Sequence, residues 1–135
     1  MRESNVRGKA IDSGEWLYGD VQIPQKRVCS YFMWDKEGMQ RKIDPDTLGG
    51  LTGLKDRNGN DIYEGDIISF DYDVDESVSE GLFEVMFVSG KGILAFLLGG
   101  NLDDEYFVLS SIHEWATVVG NIHDNPEMLK KYSII

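Results

Sequence analysis

LTGLKDRNGNDIYEGDIISF, from Leu51 to Phe70, carries two turn signals and two apolar runs in one short stretch. Asn58-Gly59 lies in a polar run from Lys55 to Asp61. Both residues tolerate positive φ, so the pair is a strong hairpin signal. Ile62 and Tyr63 follow as an apolar pair, Glu64-Gly65-Asp66 interrupts, and Ile67 to Phe70 reads as a strand. A glycine just before a strand supplies a backbone conformation, or a close approach, that a Cβ forbids. Turn chemistry alone accounts for Asn58, Gly59, Glu64, Gly65 and Asp66 as corner residues. A ligand-facing loop is the competing reading.

Outward from this stretch, turn signals recur about every eight to twelve residues, as in an all-β chain. Val6 to Ile11 and Glu15 to Ile23 read as strands, the second with Trp16 and Tyr18 on one face and Leu17 on the other. Arg27 to Trp34 is the most apolar early strand, and Asp35 to Gly38 turns it back into Met39 to Ile43. Asp44-Pro45 ends that strand, because proline removes a donor and restricts its predecessor. Gly49-Gly50 is expected to loosen the chain and divide residues 1–50 from 51–135, two parts of a single domain. Beyond Phe70, Asp71 to Gly81 reads as a long acidic loop. Leu82 to Val88 and Ile93 to Leu98 are strands joined by a tight turn at Ser89 to Gly92. After a loop at Gly99 to Asp104, Glu105 to Leu109 and Ala116 to Val119 complete the sheet. These lengths predict a mainly antiparallel all-β fold with a five-stranded, partly open SH3-like barrel over about residues 62–121. Asn125-Pro126-Glu127 signals a short C-terminal helix, with Asn as N-cap and Pro at the first helical position.

The chain has 135 residues, 41% hydrophobic and 11% aromatic, enough for a folded core. Its single cysteine, Cys29, rules out an internal disulfide and suits a reducing cytoplasm. No signal peptide or membrane span is expected. Net charge is −11, unevenly spread: residues 1–42 carry eight Lys/Arg against six Asp/Glu, and residues 43–135 five against eighteen. A general phosphate-backbone binder carries the opposite sign.

Several motifs run in order along the chain: Arg7-Gly8-Lys9 with Gly14 to Gly19, then Ile43 to Gly49, Thr52 to Asp56, Asn58-Gly59, Ile62 to Ile67, and Gly120 to Glu127. In combination they resemble the YopX family of bacteriophage and prophage proteins over nearly the whole length. The resemblance implies a predominantly β fold and a phage or prophage setting. It implies no biochemical activity. The family pattern is weakest from Asp71 to Glu80.

Candidate chemistry is sparse. Asp71, Asp73 and Asp75 alternate, but the sixth and twelfth positions of an EF-hand loop would hold Glu76 and Leu82. His113, His123 and Cys29 have no metal-ligand spacing. Ser110 and Ser111 precede His113, yet adjacency in sequence sets no catalytic geometry. Gly90-Lys91-Gly92 reads as a hairpin turn rather than a phosphate cradle. No enzyme activity, cofactor or metal is expected. The sequence points to a non-enzymatic protein-interaction module, with Asp71, Asp73, Asp75, Glu76 and Glu80 as its surface. Its partner would be a host or phage protein. Two alternatives stand beside this. Arg7, Lys9, Lys26, Arg27, Arg41 and Lys42 with Trp16 or Tyr18 could bind nucleic acid, against the ordinary reading of a mixed solvated surface. Exposed β edges could instead drive homo-oligomeric self-assembly.

Overall fold

Strands β1 (Val6–Lys9) and β2 (Trp16–Gly19) pair antiparallel, with Lys9 opposite Trp16 and Val6 opposite Gly19. The alternation in β2 is the one its sequence dictates: Leu17 is buried and Tyr18 exposed. A computed structural model supplies this description for residues 6–21, 31–74, 77–98 and 106–128, with the backbone alone at 72–74 and 77–80. The chain divides into two units, Met1–Leu51 and Thr52–Ile135.

In the first unit, β3 (Tyr31–Trp34) and β4 (Gln40–Ile43) form a second hairpin. Asp35 shapes its turn: Oδ1 accepts the amide N–H groups of Glu37 at 3.0 Å and Met39 at 2.8 Å. Asp44-Pro45 ends β4 by opening a 3-10 turn over Pro45–Thr47, where the Asp44 carboxylate accepts the Asp46 N–H at 3.0 Å. Thr47 then accepts the Lys9 N–H at 2.8 Å and donates to the Asp44 carbonyl at 2.7 Å. The core is Ala10, Leu17, Met33 and Ile43, with Val21, Tyr31 and Leu48 against it. Gly49-Gly50 does not loosen the chain. Strand β5 (Gly49–Lys55) runs straight through both, and Gly50 and Gly49 pair with Val6 and Arg7. Ladder bonds to β1 offset the entropy that two glycines cost a strand.

In the second unit, β6 (Asp61–Tyr63) follows the hairpin turn at Asn58-Gly59. Next come β7 (Asp66–Val74), β8 (Ser77–Val88), β9 (Gly92–Leu97) and β10 (Tyr106–Val108). One helical turn, α1 (Leu109–Ile112), and a 3-10 turn at His113–Trp115 lead into β11 (Thr117–Asn121). The antiparallel order β10-β9-β8-β7-β11 is a four-strand meander with the last strand returned beside the first. That is the partly open, SH3-like arrangement the strand lengths implied. The core holds Ile62, Ile68, Phe83, Val85, Ala95, Leu109, Ile112 and Ala116. Phe70, Phe83 and Phe107 meet edge to face, with centroids 5.3 to 6.0 Å apart.

Two further expectations are corrected. Asp71 to Gly81 is not a loop but the paired continuation of β7 and β8, with Asp71 opposite Glu80 and Val74 opposite Ser77. Tyr72, Val74 and Val78 supply the β-forming residues between the acids. Leu109 ends no strand but opens α1, which buries Leu109 and Ile112 in the core. Residues 126–128 are helical, with the Met128 N–H donating to the Asn125 carbonyl at 3.0 Å. The expected loop at Gly99 to Asp104, the start of the Arg27 strand and the rest of the terminal helix lie outside the described residues.

Gly8 has no room for a side chain. A Cβ there would stand 2.7 Å from Ile43 Cγ2 and 2.9 Å from Leu48 Cδ2. Gly8→Ala is expected to cost about 1–3 kcal/mol through overpacking, read as a lowered midpoint in urea with an unchanged slope.

Candidate functional site

Asp56 organises the corner at Asn58-Gly59. It is a buried carboxylate, 5% exposed. Oδ1 accepts the amide N–H groups of Asn58 and Asn60, each at 2.9 Å. Oδ2 accepts the Val118 N–H at 2.9 Å and the Asn60 side-chain amide at 3.4 Å. The Gly59 N–H donates to the Asp56 carbonyl at 3.0 Å, with Gly59 at φ +82°. The connection is therefore a three-residue loop with glycine in the left-handed position. Burial alone would raise the Asp56 carboxyl; the N–H groups of Val118, Asn60 and Asn58 outweigh it and hold it below the usual carboxylate range. Asp56 closes the Thr52 to Asp56 motif, which by itself assigns it no role. Its signal was its position, ahead of Asn58-Gly59, where an Asx turn places an acid.

Glu64, Gly65 and Asp66 form the neighbouring corner. Gly65 has φ +88°, its N–H donates to the Val85 carbonyl at 2.9 Å, and its carbonyl accepts from Ile122 at 2.9 Å. Asp66 is buried, and its Oδ2 accepts the Tyr63 N–H at 2.7 Å. Glu64 is partly exposed beside them. These bonds of Gly65 and Asp66 all run to the unit's own backbone, which is the geometry of a structural corner.

The acidic segment has a different setting. β11 pairs with β7 only over Asp66–Ser69, and β9 pairs with β8 only over Phe83–Val88. The distal part of the β7–β8 hairpin therefore extends as a two-stranded arm, with no third strand on either edge among the described residues. Five residues of strand span about 16 Å. Asp71 is exposed and stands opposite Glu80, and Asp73 opposite Val78. Asp75 and Glu76, at the reversal, lie outside the described residues.

Among the described basic residues of the first unit, Arg7 is buried and Arg41 is held by carboxylates. Arg41 is engaged by Asp12 at 2.7 Å, Asp35 at 3.3 Å and Glu15 at 3.8 Å. A hydrogen bond from Arg41 is the main influence lowering the Asp12 carboxyl, whereas the Met39 N–H leads for Asp35. An open groove of ≈ 530 Å³ borders this cluster, lined by Ile11 and Met39 among others. Arg7 is buried, and its guanidinium lies 4.7 Å from the centre of the Trp16 ring, with Lys9 Nζ at 5.3 Å. Lys42 is exposed. Lys26, Arg27 and Cys29 lie outside the described residues.

The histidines are built into loops. His113 Nδ1 meets the Lys55 carbonyl at 2.7 Å, and so donates to it. The His123 N–H donates to Asn121 Oδ1 at 3.0 Å. Asn125 does not cap forward with its side chain; its Oδ1 accepts the Asn121 N–H at 3.1 Å, behind it. Among the described residues no group of three or more His, Cys, Asp or Glu is placed to hold a metal, and no helix is long and apolar enough to cross a membrane.

Asp56→Ala removes the acceptor of three part-buried N–H groups and is expected to cost about 2–3 kcal/mol by urea denaturation. Because its folded pKa lies below the ordinary carboxylate value, its contribution is full above about pH 4 and is lost as pH falls through the folded value. Acid titration of wild type against Asp56→Ala should therefore converge. At Gly120, a Cβ would stand 2.5 Å from Asn125 Oδ1. Gly120→Ala should cost about 1–2 kcal/mol and deprotect the Asn121 amide to hydrogen exchange.

No curated protein matches the chain significantly. The crystal structure of protein EF1440 from Enterococcus faecalis is similar, with a TM-score of 0.53 and 23% identity over 96% of this chain and 99% of that one. At that identity the likeness shows a shared fold. The family model described as YopX protein matches residues 7–130. With nearly all its length matched, the chain belongs to the YopX protein family.

Proposed function

We propose that this protein is a non-enzymatic interaction module that presents the acidic β7–β8 arm to a basic protein partner. The carrying observation is the arm itself. Its two strands reach beyond the sheet, and its register sets Asp71 directly opposite Glu80. Like charges across a ladder destabilise a hairpin. A partner's lysines or arginines would complement the acidic residues that the sequence places along this arm. The balance of five basic against eighteen acidic residues in 43–135 extends the field beyond the arm and favours steered encounter with a basic surface. The phage and prophage setting implied by the sequence resemblance makes a host or phage protein in the bacterial cytoplasm the natural partner. Nucleic-acid binding is the weaker reading, because Arg41 is held by carboxylates while Arg7 and Lys9 lie against Trp16.

Affinity capture with tagged protein from nuclease-treated host lysate, with and without phage, tests this. One stoichiometric partner is expected. Its binding should weaken about tenfold or more between low and physiological salt, and similarly with Asp71, Asp73 and Asp75 all changed to Asn. A partner indifferent to both treatments would overturn the reading.

A further inference from the structure

One cross-strand row crosses the five-stranded sheet in direct register: Ile67 on β7, Glu84 on β8, Phe96 on β9 and Tyr106 on β10. Residues opposite one another on a ladder share a face, and this one is opposite the face of Phe83 and Val85. Ile67 is buried and Tyr106 exposed, and the Phe96 and Tyr106 rings stand 5.6 Å apart. Beside the row, Met86 and Val108 are exposed on either side of buried Leu94. Glu84 is half-buried among these apolar neighbours, and makes no hydrogen bond or ion pair among the described residues. Burial is the sole influence on its carboxyl, and pushes it above the usual value. Four other carboxylates among the described residues are held by donors: Asp12 and Asp35 by Arg41, Asp61 by Lys55, and Asp56 by amides. The aromatic end of the row already receives a cation, since Lys91 Nζ lies 5.5 Å from the centre of the Tyr106 ring.

We propose that this row is an anchor site for a lysine or arginine side chain of a protein partner, its charge on Glu84 and its aliphatic stem along Phe96 and Tyr106. A partly desolvated carboxylate gains most from a cation, and ring faces favour the same sign. An apolar or ionised acidic side chain would leave the Glu84 carboxylate unpaired, and a neutral donor would leave its charge uncompensated. The inference deepens the interaction-module reading, because β8 leads from the acidic arm to Glu84 without a break.

The test is an amide NMR titration of the ¹⁵N-labelled full chain with acetyl-Ala-Lys-Ala-amide and acetyl-Ala-Arg-Ala-amide at millimolar concentration. The norleucine peptide serves as control. Saturable shifts at Glu84, Phe96 and Tyr106 are expected with the basic peptides and not with norleucine. Glu84→Gln, whose own spectrum reports that it folds, should weaken binding about tenfold. No saturable shift, equal shifts with norleucine, or binding unchanged in Glu84→Gln would overturn the anchor. Shifts confined to residues 70–81 would also overturn it while leaving the acidic-arm reading standing.

Discussion

One carboxylate holds together the frame of the second unit. Asp56 collects N–H groups from Asn58 and Asn60 in its own turn, and from Val118 on the last strand, 62 positions away. A buried charge is tolerated where hydrogen bonds replace its water, and here three backbone amides and a side-chain amide do so. The Arg57 N–H adds a bond to the Ala116 carbonyl at 2.9 Å, so the turn and the approach to β11 are fastened twice. Gly65 does the same one corner on, bridging Val85 and Ile122.

Among the described residues, this frame turns the Asp56 and Asp66 carboxylates toward its own backbone N–H groups. The His113 ring bonds the Lys55 carbonyl, and Asp56 and Asp66 serve turns. What remains outward is of another kind: an acidic arm beyond the sheet and a half-buried Glu84 beside two aromatic rings. Both ask for positive charge. That common demand, more than any single residue, gives the interaction reading its coherence.

The strands of the second unit were legible because their apolar runs are bounded by strong turn residues. Gly90 and Gly92 both adopt positive φ where the tight turn was expected. The Asp71–Gly81 segment misled because charge and serine mask a strand whose pairing comes from register with β7. Acidic and serine residues alternate there with Tyr72, Val74 and Val78, so its hydrophobic pattern is weak. The α1 turn was hidden for the opposite reason. Leu109 and Ile112 are spaced to bury one face of a single helical turn, too short for a period to show. Gly49-Gly50 carries a composition typical of linkers, and partner strand β1 overrides it. Glu84 left almost no trace, since one acid between Phe83 and Val85 is what any half-exposed strand shows.

The Asp56 clamp is the fixed point of the second unit, and the arm lies outside it. Residue-resolved hydrogen exchange on the free protein measures both at once. The Asn58, Asn60 and Val118 amides should exchange only through global unfolding, and those at 71–74 and 77–80 orders of magnitude faster, by local opening. Clamp amides exchanging as fast as the arm would contradict this, and would mean that the carboxylate does not hold the frame.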